Sequence, residues 1–231
     1  MYKINERKLF RAGAAGLWGI LLYALVTMVL LPLTGAQPET AAECLELLHT
    51  HRLLGLIRLD ILTVIIMPLF YLVYFAVYRS LRDTGSPFGL FFTALLFVGV
   101  TLFLATPSAL PLASLSDQYY AADNEQVRQA ILAAATALRA GDMWHMTGAV
   151  MGSLLTQIAA IGLSAIMMRS PVYGKKLGVL GIVTHGLDLL HFVCYILAME
   201  TVSTVLISIA GVLYLPLYAW TALKLVRING E

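Results

Sequence analysis

Of 231 residues, 60% are hydrophobic and 12% charged, and the mean hydropathy is +0.84. Soluble domains carry roughly 25% charged residues, so this balance excludes an ordinary soluble enzyme and predicts a polytopic membrane protein. The net charge of +2 gathers in loops beside apolar runs, a membrane signature that does not point to nucleic acid.

The chain opens with Lys3, Arg7, Lys8 and Arg11 ahead of an apolar run at 12–33. That run exceeds the roughly 7–15 residues of a signal-peptide core, so it is expected to stay as span one. Gly13, Gly16 and Gly19 give it a small face for close helix approach. Thr40 and Glu43 have the spacing of a capping box before a short helix in the outer interface. Span two follows at about 53–78, with Arg58 and Asp60 near its outer end and Pro68 as a kink. Ser86 and Pro87 start span three, 88–106, which Pro107 closes.

Residues 116–141 turn polar, and Val127, Ile131, Ala134 and Leu138 recur at helical spacing after Asp123 or Asn124 as cap. This predicts an amphipathic outer helix between spans three and four. Asp142 caps span four, 143–168, whose Gly148 and Gly152 form a GxxxG face. Span five, 177–199, and span six, 202–226 with Pro216 inside it, complete the expected fold. That fold is all-α, a single domain with six transmembrane helices in one bundle. Cys44 and Cys194 are expected to act as small buried hydrophobes without a bridge.

Basic residues set the orientation, because cytoplasmic loops carry their excess. With the N-terminus inside, eleven Lys and Arg flank the inner ends and three, Arg52, Arg128 and Arg139, lie outside. Both termini are therefore expected in the cytoplasm.

Span five carries His185, Asp188 and His191 inside apolar sequence, and a charged Asp near a bilayer centre costs about 2.5–3.5 kcal/mol on insertion scales. Counted from the expected outer ends, Arg58 lies ~8 Å deep, Asp60 ~10 Å, His191 ~12 Å, Asp188 ~16 Å, Gln157 ~17 Å and His185 ~21 Å. Together with Tyr195 these residues are expected to line a polar cavity open to the outside. Asp188 lies within one turn of both histidines, so a carboxylate–histidine pair is expected there. A zinc ion could take His185 or His191 with Asp188, joined by His145, His49 or His51, although His185 and His191 sit about 120° apart around the helix.

The segments RSPVYGKKLGVLGIV at 169–183, RLDIL at 58–62 and RAGAAGLWGILLYALV at 11–26 resemble a family of prokaryotic six-span membrane proteins catalogued as a domain of unknown function. The resemblance covers most of the chain. It implies the six-helix fold and no activity, so no functional residue carries over from it. The leading expectation is a non-enzymatic membrane protein whose cavity binds or transports a small or amphiphilic ligand, a proton or an ion. The alternatives are an intramembrane metal-dependent lipid hydrolase using zinc, and a structural or regulatory membrane subunit. The bilayer is the one partner the composition requires, and no oligomeric state follows from it.

Overall fold

The computed structural model describes residues 6–30, 33, 38–106, 109–141 and 147–228, and among these every regular element is helical. Six helices are long and apolar enough to cross a membrane, so the protein is membrane-embedded and multi-pass. The expected stop at Pro107, the Asp142 cap and His145 lie outside the described residues.

Span one is α1, Glu6–Leu25, whose last turns widen into a π-helical stretch, Val26–Leu30. A short cap helix follows, α2 (Ala41–Thr50). The expected second span is broken into α3 (Arg52–Arg58), α4 (Ile61–Ile66) and α5 (Leu69–Ser80). The breaks fall at Leu59–Asp60, where Asp60 adopts the left-handed region with φ 75°, and at Met67–Pro68. Asp tolerates that conformation better than most side chains. The membrane-crossing part is therefore Ile61–Ser80, and α3 belongs to the cap instead, a correction to the single helix expected over 53–78.

Span three is α6 (Phe88–Leu104), followed by two more cap helices, α7 (Ala109–Ala121) and α8 (Glu125–Ala140). The spans α9 (Thr147–Met167), α10 (Gly174–Ile196) and α11 (Glu200–Arg227) complete the chain. Leu225 reaches the position of Gly13, so the first and last spans have their terminal ends on one face. That face, with Arg79, Arg82, Arg169, Lys175 and Lys176, is called the basic face here, and the opposite one the cap face.

Two apolar cores match this division. The bundle core includes Leu17, Val73, Val77, Leu96, Val100, Leu163, Leu177 and Leu225, all buried. The cap core gathers Cys44, Leu45, Leu48, Leu112 and Ala135 from α2, α7 and α8. In α8 the inward positions are Ile131, Leu132, Ala135 and Leu138, while Val127 and Ala134 are exposed. The expected stripe was thus rotated by part of a turn, because alanines fill both faces of this helix and apolar spacing alone leaves the inner one ambiguous. The Thr40–Glu43 capping box forms, and Asn124, rather than Asp123, caps α8 by accepting from Val127 N at 2.9 Å. Glu43 is held below the usual carboxyl range by the Glu39 and Thr40 amides that donate to it.

Glycine brings the spans close. A Cβ on Gly152 of α9 would lie 2.6 Å from Gly99 O of α6, and one on Gly178 of α10 would lie 2.7 Å from Ser164 O of α9. A Cβ on Gly16 of α1 would lie 2.9 Å from the Val73 side chain of α5. Without a hydrophobic force between helices in lipid, such close backbone approach is what holds them together. Hydroxyls in the spans are mostly satisfied within their own helix, as where Thr93, Thr156, Thr184 and Thr221 each donate to the carbonyl four residues back. On the basic face, Glu6 accepts from Arg79 and from Arg82, the latter at 2.7 Å, and Ser80 bonds Tyr173 at 2.6 Å.

Gly152→Leu should therefore separate α6 from α9 and cost about 1–3 kcal/mol, the usual range for overpacking. Thermal unfolding of detergent-solubilised protein should fall measurably. Gly186→Leu, at a position with nothing within 4 Å of the added Cβ, should melt close to wild type.

Candidate functional site at the centre of the bundle

Three spans bring their middle residues together. His185 is the twelfth of 23 residues in α10, Gln157 the eleventh of 21 in α9, and Tyr214 the fifteenth of 28 in α11. At 1.5 Å per residue, Asp188 lies ~12 Å from the cap-side end of α10 and ~21 Å from its basic end. Because α10 stops at Ile196 rather than near residue 199, these depths are shallower than the sequence implied.

Gln157 is the hub. Its Nε2 donates to Asp188 Oδ2 at 2.7 Å, and its Oε1 is 2.7 Å from His185 Nδ1. Since the amide oxygen only accepts, His185 carries its hydrogen on Nδ1 in this arrangement, which leaves Nε2 as an acceptor. The Tyr214 hydroxyl donates to Asp188 Oδ2 at 2.6 Å and also lies 3.1 Å from Gln157 Oε1 and 3.2 Å from His185 Nδ1. Its ring meets the imidazole edge-on, with centroids 5.3 Å apart.

Asp188, His185 and Gln157 are each buried, at 6, 4 and 8% exposure. Asp188 Oδ2 thus takes two hydrogen bonds, whereas its Oδ1 is buried with no hydrogen-bond partner among the described residues. A buried carboxylate oxygen left unpaired costs on the order of 1–3 kcal/mol or more, which singles it out from the satisfied hydroxyls around it.

The expected carboxylate–histidine pair is not the contact that forms, because the Gln157 amide stands between Asp188 and His185. His191 turns to α11, where Nδ1 lies 2.8 Å from Ser203 Oγ and 3.0 Å from Ser203 O. Tyr195 lies farther along α10, half-buried near its cap-side end. Arg58 and Asp60 flank the α3–α4 junction; α3 packs on the cap helices α2 and α7, and α4 on α1. Among the described residues no three His, Cys, Asp or Glu side chains converge as a metal set would require.

Tyr214 and Ser203 are the side chains of this network that the sequence reading missed. Tyr214 had a signal, a phenol at mid-span followed by Tyr218 one turn on, but aromatic residues are common in spans and depth does not give rotation. Cys44 is fully buried in the cap core, with Sγ 2.9 Å from Arg139 Nη1.

Gln157→Leu should remove one of the two hydrogen bonds to Asp188 Oδ2 and take from His185 Nδ1 its 2.7 Å acceptor, at a cost of about 1–3 kcal/mol. In a double-mutant cycle by thermal unfolding, Asp188→Leu added to Gln157→Leu should cost less than the sum of the two single changes. Comparison with known protein families, with curated proteins and with solved structures gives no match.

Proposed function

We propose that the protein binds a proton at Asp188 and couples its gain and loss to movement of α9, α10 and α11, as a proton-coupled membrane carrier does. The supporting observation is Asp188 Oδ1, buried near the middle of the bundle without a partner. Among the described residues no Lys or Arg forms an ion pair with Asp188. An ionised carboxylate so placed is costly, and a proton removes the cost. The groups facing it are Gln157 from α9, His185 and His191 from α10, and Tyr214 from α11, with Tyr218 and Tyr74 beyond.

Pro216 lies two residues from Tyr214 inside α11. A proline there removes the amide that would bond the carbonyl of Val212, which makes this turn a natural hinge beside the site. A change of charge at Asp188 alters the bonds from Gln157 and Tyr214, and so favours one helix arrangement over the other by the difference in their energies. The carried species is a small solute or ion, and the basic face with both termini lies in the cytoplasm of a prokaryotic inner membrane. No matched relative supplies an activity, so the reading rests on the geometry.

The same bonds join three helices, which also favours a purely structural role, and infrared difference spectroscopy separates the two. In a pH titration of lipid-reconstituted protein, a protonated-carboxyl band should appear as pH falls and be missing from Asp188→Asn. If the band is absent from wild type, or Asp188→Asn keeps full proton uptake into liposomes, the carrier reading is wrong. For orientation, an impermeant thiol reagent should label a cysteine placed at Asn124 in intact cells and one placed at Lys175 only after lysis; the opposite pattern reverses the topology.

A further inference from the structure

A cavity of about 20 Å³ lies on the basic-face side of His185. Its polar walls are His185, Ser164, Tyr74, Tyr218 and Thr221, and apolar residues including Leu17 and Met167 close the rest. A water molecule needs roughly 10–15 Å³ of such space and two to four polar partners. The volume therefore suits one water and excludes an organic ligand.

The hydrogen-bond roles also match. His185 uses Nδ1 in the Asp188 network, so Nε2 is the nitrogen left to accept. Thr221 Oγ1 gives its hydrogen to Leu217 O at 2.7 Å, so its lone pairs accept as well. Ser164 is 3% exposed, and its hydroxyl supplies a donor. Tyr74 and Tyr218 complete the polar wall.

We infer that a single water molecule occupies this cavity, donating to His185 Nε2 and Thr221 Oγ1 and accepting from Ser164, and relays protons between Asp188 and the basic face. The inference rests on Asp188 being the proton-binding group. A proton arriving through the water bonds to Nε2 of His185. The imidazolium then releases its Nδ1 proton to Tyr214 Oη, 3.2 Å away, as the Tyr214 hydroxyl proton passes to Asp188 Oδ2, 2.6 Å away. One proton enters, Tyr214 is restored, His185 ends neutral with its hydrogen on Nε2, and Asp188 ends as the carboxylic acid.

A high-resolution density map of wild-type protein in lipid nanodiscs, paired with infrared difference spectra in H₂¹⁸O, tests this. One water density should lie within hydrogen-bond distance of His185 and Thr221, with an isotope-sensitive O–H band. Ala160→Val adds methyl groups to the cavity wall and should abolish both. Thr221→Val keeps the volume and loses the hydroxyl, so it should shift or remove the band even if Ala160→Val does not fold. No density in wild type, or an unchanged band in Thr221→Val, overturns the water site. An Asp188 carboxyl band without the water sinks this inference alone, whereas the water without that band sinks the proton site and the relay with it.

Discussion

The structure depends on one side chain placed between two others. Gln157 presents an amide donor to Asp188 and an amide acceptor to His185, and by doing so ties α9 to α10 in a medium that offers no competing water. Formed hydrogen bonds between membrane helices are worth only about 0.6 kcal/mol on average, while an unmet buried polar group costs about 1–3 kcal/mol. The network therefore holds the bundle together mainly through what breaking it would expose. Asp188 Oδ1 stands outside that satisfaction, and a proton on the carboxyl group removes the charge that its burial makes costly.

Close packing makes so short a network attainable. Gly152 lets α9 lie against α6, and Gly178 and Gly181 let α10 lie against α9. With backbones this close, side chains from neighbouring spans reach one another directly across the seam. Larger residues at these glycines would widen the seam and stretch contacts that now measure 2.6–2.7 Å. The threonines contribute by bonding to their own helices, so they do not compete for Gln157 or Asp188.

Polar groups also follow α10 through the thickness of the bundle. His191 meets Ser203 toward the cap side, Asp188 and His185 meet Gln157 and Tyr214 at the centre, and His185 borders the small cavity. Beyond them, Tyr173 and Ser80 bond at the basic face. The cap has its own core, so the central site is framed by a bundle that does not rely on the cap for its packing. The left-handed turn at Asp60 is where one gives way to the other.

The membrane-embedded, six-span, all-α architecture was legible in the sequence because a bilayer demands about 20 apolar residues per span, and that demand is written locally. The capping box at Thr40 and the small faces at Gly16 and Gly152 were legible for the same reason, since each is set by residues a few positions apart. Gln157, His185 and Asp188 stood out because polar groups inside apolar runs are costly wherever they point. What those residues touch was not legible. Depth follows from counting, but the rotation of one helix against another follows from packing along its whole length. That rotation brought Tyr214 to Asp188, turned His191 to Ser203 and set Gln157 between a carboxylate and an imidazole that the sequence had paired. The break at Asp60 likewise needed the cap core, because only tertiary contacts decide that an apolar segment long enough to continue a span packs against other helices instead.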